Sequence, residues 1–285
     1  MSSMLTSPLH AEGATSALSQ RRIMTILTAF LHMLRRDLMV TTREVMPFVM
    51  QVLVQPLCLL FVFGKVLPNI GAAQQVFPAS FLPGVVALNV FLVALQGITI
   101  SLMLDLSTSR EIDDRLLAPL PVSLVAVEKI VFCVIRSMVA GAITFPLAYW
   151  ILGNGYQVRT DAIVALLGIM LLTAFTSAAL GLVIGTILPV DRIYLLFTLI
   201  FSALLYTGCV FYPWGSIGSL PALQIATLFN PLTYASEGLR YAMVPAVHGQ
   251  AFLTLPIAWI LLGLSMSFVL CLVLGLRTFR RRVIA

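Results

Sequence analysis

Charge is scarce in this 285-residue chain: Asp, Glu, Lys and Arg make up 10% of it, where a soluble domain carries about 25%. A water-facing surface for a globular body of this length is therefore missing. Histidine is scarce too. His10, His32 and His248 are scattered outside the apolar runs, and no HExxH, GxSxG or Cys/His metal spacing occurs. No catalytic residue and no metal ligand set is expected. Gly64-Lys65 is the only Gly-Lys step, and Leu59 and Val66 break the phosphate-loop pattern around it, so this chain does not bind ATP in that way. The cysteines Cys58, Cys133, Cys209 and Cys271 stand one to an apolar run. Without metal or redox spacing they read as small buried hydrophobes. Apart from Arg136, ionisable side chains are absent from the middle of the apolar runs, which argues against ion channels and proton-driven carriers. Snorkelling or pairing with an acid explains Arg136 more simply than substrate contact.

Apolar residues are what the chain has in excess: 60% of the sequence, with a mean hydropathy of +1.04. Runs of about 20 residues cross a 30 Å hydrocarbon layer as helices, and six are present, at about 45–66, 81–104, 125–152, 162–188, 193–211 and 255–276. They lack the alternation of a membrane barrel. The fold class is all-α, a polytopic membrane protein in one domain spanning residues 21–285. The first span begins too late and runs too long for a cleavable signal peptide.

The net charge of +6 is an orientation signal, and no nucleic-acid partner is expected. Six spans put both termini on one side. If that side is the cytoplasm, 13 of the 17 basic residues are internal: Arg21, Arg22, Arg35, Arg36, Arg43, Arg110, Arg115, Lys129, Arg192, Arg277, Arg280, Arg281 and Arg282. Lys65, Arg159 and Arg240 fall outside and Arg136 within a span. That is the positive-inside bias. The expected location is the cell's inner (plasma) membrane, with both termini cytoplasmic.

Residues 1–20, rich in Ser, Ala and Thr, read as a disordered cytoplasmic tail. Between 22 and 43, Ile23, Ile26, Leu27, Phe30, Leu31, Leu34 and Leu38 recur at helical spacing with basic residues largely off the stripe, the pattern of an amphipathic helix lying in the membrane interface. Within the spans, Thr173, Ser177, Gly181 and Gly185 form a small-residue ladder that lets helix backbones approach. Tyr194, Thr198, Ser202 and Tyr206 make a mildly polar face, as do Asn89 with Gln96 and Gln51 with Gln55. Each reads either as interhelical hydrogen-bonding glue or as the lining of a substrate path. The segment 212–254 remains apolar where an external loop is due. There Asn230 and Pro231 read as an N-cap and first-turn proline of a helix Leu232–Met243 ended by Pro245, with Glu237 and Arg240 on one face. Broken backbone is tolerated in lipid only under protein or beside water, so short re-entrant helices are expected before the last span. If Glu237 and Arg240 pair, exchanging the two is expected to restore function.

The largest concentration of charge, eight of 28 charged residues, lies between Asp105 and Lys129. Such a short polar loop is too small for a catalytic domain and suits a handle for another protein. Its run SREIDDRLLAPLPVS resembles the loop after the second span of ABC-2 type permeases, with Asp113-Asp114 where that family has glycine. FNPLTYASEGLRYAM before the last span is similar to the same family's Asn-Pro-Leu-x-Tyr…Glu-x-x-Arg segment. The resemblance covers nearly the whole chain.

This resemblance implies the membrane subunit of an exporter for drugs, polysaccharides or lipids. It implies two cytosolic ATPase subunits that hold ATP and Mg, with no cofactor on this chain. It also implies a second permease copy, expected to be identical, within membrane lipid. The loop 105–124 would couple to the ATPase through Arg110, Glu111, Asp113, Asp114, Arg115 and Leu116. Asn89, Gln96, Thr198 and Ser202 on the second and fifth spans would line the path. Asn230, Pro231, Glu237 and Arg240 would belong to the outer gate. The rival readings are a membrane-embedded lipid-modifying enzyme, an ion-coupled carrier, and a scaffold that anchors an ATPase.

Overall fold

The computed structural model describes residues 9–43, 45–71, 77–107, 122–153, 159, 161–189, 193–244 and 255–284. Among them regular structure is entirely helical. The helices are α1 (Leu9–Arg43), α2 (Val45–Phe61, prolonged by a π turn Val62–Val66 and a last turn Leu67–Asn69), α3 (Phe77–Ser107), α4 (Val122–Leu152), α5 (Ile163–Ile187), α6 (Ile193–Thr207), α7 (Pro221–Thr227), α8 (Pro231–Met243) and α9 (Ile257–Ile284). A 3-10 turn, Trp214–Ile217, precedes α7.

Five helices are long and apolar enough to cross a membrane: Met46–Asn69, Phe81–Met103, Ser123–Leu152, Ile163–Ile187 and Ile257–Arg282. They match the first four and the last of the expected runs. The fifth, 193–211, differs: α6 ends at Thr207 after 15 residues, about 22 Å of helix against about 30 Å of hydrocarbon. Gly208 follows, and Cys209 takes a left-handed φ of 51°, which a non-glycine residue adopts only when its surroundings hold it there.

The centre of the bundle is α3. Of its most apolar window 78% is buried, against 17% for α2 and 11% for α9. It packs on α5, α4, α8 and α2, while α9 lies along α5. The small-residue ladder on α5 makes the closest of these approaches. A Cβ at Gly181 would strike the Ile98 side chain and stand 2.7 Å from the Leu95 carbonyl oxygen, and one at Gly185 would stand 3.2 Å from Leu102. Thr99 Oγ1 donates to Leu95 O at 2.7 Å and to Gly181 O at 3.2 Å across the same contact. Small residues replace side-chain volume with backbone proximity, the means by which helices associate where lipid is as apolar as leucine. At the end of α5, Arg282 Nη1 of α9 donates to Thr186 O at 2.6 Å and Leu188 O at 3.0 Å. These carbonyls lack intrahelical partners, and a cation there suits the helix dipole.

Outward faces are apolar. Along α9, Trp259, Leu262, Met266, Val269, Leu270 and Val273 are exposed, and along α2 Met46, Met50, Val54, Leu57 and Phe61, as lipid contact requires. Cys133 and Cys209 are buried, but Cys58 is exposed on the outer face of α2 and Cys271 is intermediate. Burial was expected for all four; a polarizable thiol is equally at home against acyl chains.

Helix α1 packs on α4 and α2. It starts at Leu9, extending through the stretch that composition suggests as a tail, where Ala, Leu, Glu and Gln favour helix. Its apolar stripe is wider than its contact: Ile26, Phe30, Leu34 and Leu38 are half-buried, whereas Met24, Leu27, Leu31, Met39 and Val40 are exposed. An apolar flank open beside a protein-packed one is what an interfacial helix needs.

Candidate functional site

The most densely bonded polar cluster stands where α6 stops. The last four carbonyls of a helix have no intrahelical donor, and the backbone beyond Thr207 is irregular. Buried backbone must still be paired, and α8 supplies most of the donors from one face. Asn230 Nδ2 donates to Leu204 O at 2.8 Å and to Thr207 Oγ1 at 2.9 Å. One turn on, Thr233 Oγ1 donates to Thr207 O at 3.1 Å and to Thr227 O at 2.7 Å. Ser236 Oγ donates to Gly208 O at 2.8 Å. Arg240 Nη2 reaches Cys209 O at 2.6 Å and Val210 O at 2.9 Å. Tyr212 OH closes on Tyr206 O at 2.7 Å.

The local sequence explains why α8 forms here. Asn230 is extended (φ −93°, ψ 117°), and its Oδ1 accepts the Leu232 N–H at 2.9 Å, while Pro231 sits in the first turn without a donor to lose. The helix ends at Met243, and Val244 turns extended (φ −87°, ψ 120°) before Pro245, as a residue preceding proline does.

Glu237 and Arg240 are buried to 0% and 1% exposure, and Arg240 Nη1 donates to Glu237 Oε1 at 2.5 Å. The same oxygen accepts the Trp214 N–H at 2.9 Å, which opens the 3-10 turn. The pair therefore clasps both ends of the irregular stretch: the arginine holds the Cys209 and Val210 carbonyls, the glutamate the amide of Trp214. On the opposite side, α3 approaches so closely that a Cβ at Gly84 would overlap the Val210 carbonyl oxygen. Gly84 lies seven residues into α3, about 10 Å from its start, so the break is enclosed among the spans. The rings of Phe63, Phe81 and Phe211 stand beside it, with centroids 5.0, 5.3 and 6.0 Å apart.

Thr233 and Ser236 are the members of this face that the motif reading passes over. The signal was available: Asn230, Thr233, Ser236 and Arg240 are spaced three, three and four, one side of a helix.

Asn89 is buried, and its Nδ2 donates to Thr144 Oγ1 at 2.8 Å, Ala140 O at 3.2 Å and Val52 O at 3.4 Å, bonding α3 to α4 and α2. Gln96 Oε1 accepts from Gln51 Nε2 at 2.9 Å. On α6, Thr198 is exposed, and Ser202 Oγ returns to Leu199 O at 2.9 Å. Arg110, Glu111, Asp113, Asp114, Arg115 and Leu116 lie outside the described residues. Among the described residues no group of His, Cys, Asp and Glu could hold a metal ion.

Arg159 and Asp161, between α4 and α5, offer a contrast with the buried pair. Arg159 Nη2 stands 2.8 Å from Asp161 Oδ2 with both side chains open to solvent. The hydrogen bond from Arg159 holds the Asp161 carboxyl below its ordinary value of 3.8. A lowered carboxylate pKa stabilises the fold above that ordinary value and ceases to do so as pH falls through the lowered one. Asp161→Asn is expected to leave the thermal midpoint at pH 7 within experimental error, since exposed pairs contribute little; a clear drop would give the loop a structural role.

Among curated proteins none matches the chain. The family model of the ABC-2 type transporter matches residues 28–244, a stretch that takes in the later part of α1 and the helices that follow it through α8. A multi-pass apolar body with its polar bonds spent on its own backbone accords with that match. The chain belongs to the ABC-2 type transporter family.

Proposed function

We propose that the chain is the permease subunit of an ATP-driven exporter, non-catalytic itself, which moves an amphipathic or lipid-like substrate out of the cytoplasm by alternating access. In this reading α6 and the broken stretch after it complete a sixth crossing, and 212–244 is a re-entrant element at the outer face. Both termini are cytoplasmic. Two permease copies, identical by preference, pair with two ATPase subunits seated on the 105–124 loop. Asn89, Gln96, Thr198 and Ser202 lie along the path, while Asn230, Pro231, Glu237 and Arg240 brace the outer gate.

The observation that carries this reading is the enclosed break at Gly208–Trp214, held by α8. Irregular backbone at membrane depth survives only under protein cover, and fixing it with a buried ion pair makes one rigid unit of α6, α8 and their link. A rigid unit can transmit a push from the opposite face without unfolding. The half-exposed Gln96 of α3 and the mildly polar face of α6 suit an amphipathic cargo better than a highly charged one, and the basic residues gathered on the α1 side support its assignment to the cytoplasm.

The test is to purify the chain with a candidate ABC ATPase subunit and follow ATP hydrolysis as a short-chain fluorescent phospholipid and an amphipathic dye are added. Cargo-stimulated turnover is expected. Reversing Glu111, Asp113 and Asp114 together to lysine should abolish co-purification and stimulation while leaving expression normal. Unchanged association and transport would remove the coupling role, and an ATPase indifferent to every cargo would favour a scaffold.

A further inference from the structure

The tyrosine and tryptophan at the end of α4, Tyr149 and Trp150, are 66% and 78% exposed, as aromatic anchors at a membrane–water border are. About 20 residues, or 30 Å of helix, lead back from Trp150 to Ile130 at the opposite border. Arg136 therefore stands about 9 Å inside the border on the α1 side. Helical side chains lean toward the N-terminus, here toward that border. The guanidinium carbon lies 5.6 Å from the centre of the Phe132 ring, one turn closer to it, and 4.7 Å from the ring of Phe48 in the first turn of α2.

This cation has no protein counter-ion among the described residues. Its Nε is buried and donates to nothing there, and no ion pair is made to it. Lys129 and Asp37 are otherwise engaged, and Glu128 lies eight residues back along α4, about 12 Å of helix away. Lys129 is buried and its Nζ donates to Ser101 Oγ at 2.7 Å; Asp37 of α1 accepts from Arg36 Nε at 3.3 Å; Glu128 is fully enclosed. Arg136 is half-buried, and the exposed apolar side chains Ile135 and Val139 adjoin it on α4. A cation at headgroup reach, open on its lipid side, is attracted to anionic lipid. The planar fork of arginine matches a phosphate while its face rests on aromatic rings.

We propose that the seam where α2 and α4 pack beside α1 is a site for an anionic phospholipid of the α1-side leaflet. Arg136 donates to the phosphate, Phe48 and Phe132 form the floor under the guanidinium, and Ile135 and Val139 meet the acyl chains. The site would tie α1, α2 and α4 to the lipid composition of that leaflet, whatever the cargo and direction of transport.

The test titrates the full-length protein in neutral detergent with phosphatidylglycerol, phosphatidylcholine or inorganic phosphate and reads its thermal midpoint. Phosphatidylglycerol is expected to raise the midpoint, the other two not. Arg136→Gln should need about fivefold more phosphatidylglycerol for the same rise, and Arg136→Lys should keep the preference. The proposal is overturned if Arg136→Gln responds like wild type, if phosphatidylcholine stabilises equally, or if inorganic phosphate alone reproduces the effect. Should Arg136→Gln not fold, native mass spectrometry of the wild type decides: preferential retention of phosphatidylglycerol supports the site, and equal retention of phosphatidylcholine overturns it.

Discussion

Arg240→Ala is expected to destabilise the protein by about 3–5 kcal/mol, the cost of removing one member of a buried ion pair. The Glu237 carboxylate would remain enclosed without its cation, and the carbonyls of Cys209 and Val210 would lose their donor. Thermal unfolding of purified protein measures this, with the yield of folded material as a second reading. Glu237→Gln should cost less, because an amide oxygen can still accept from Trp214 and from Arg240.

Exchanging the two residues, which pairing alone leads one to expect would rescue, should fail. A glutamate at 240 would face two carbonyl oxygens, and an arginine at 237 would confront the Trp214 N–H with another donor. The pair is bonded to backbone on both sides, so it is not interchangeable. Wild-type stability in Arg240→Ala would show that the clasp contributes nothing to the fold, and full recovery in the exchanged protein would show that the pairing matters without its bonds to backbone.

The spans were legible because hydrocarbon thickness imposes a length that composition reveals directly. The start of α8 was legible as well: Asn230-Pro231 is a local signal, readable without knowing what surrounds it. The end of α6 was not. From Leu199 to Phe211 only Ser202, Thr207 and Gly208 interrupt the apolar run, and hydropathy cannot tell a helix from irregular backbone sealed under protein. What ends α6 is a tertiary event, the arrival of Thr233, Ser236 and Arg240 with hydroxyl and guanidinium donors for the freed carbonyls. The roles of Asn89 and Gln96 were ambiguous for a related reason. A polar side chain within a span serves a partner helix or a path, and only the positions of Val52, Ala140, Thr144 and Gln51 reveal the bonds it makes.

Gly84→Ala is expected to destabilise the protein as well, from the opposite wall of the same break. A methyl at this position would overlap the Val210 carbonyl oxygen and stand 2.9 Å from its carbon. A backbone carbonyl held by Arg240 cannot swing aside as a side-chain tip can. Either α3 withdraws or the carbonyl leaves the arginine, and overpacking of this kind costs about 1–3 kcal/mol, here toward the upper end. Gly168→Ala on α5 is the control, since nothing stands within 4 Å of its Cβ position. There alanine should gain about 0.5–1 kcal/mol from its better helix propensity. Because Gly84→Ala and Arg240→Ala would disturb one contact from its two sides, their losses should not add. The double variant should be more stable than the sum predicts by about 1 kcal/mol, within the coupling measured for residues that share a partner. Additive losses would mean that the two walls act independently, and a wild-type midpoint in Gly84→Ala would mean that the carbonyl does not rest on α3 at all.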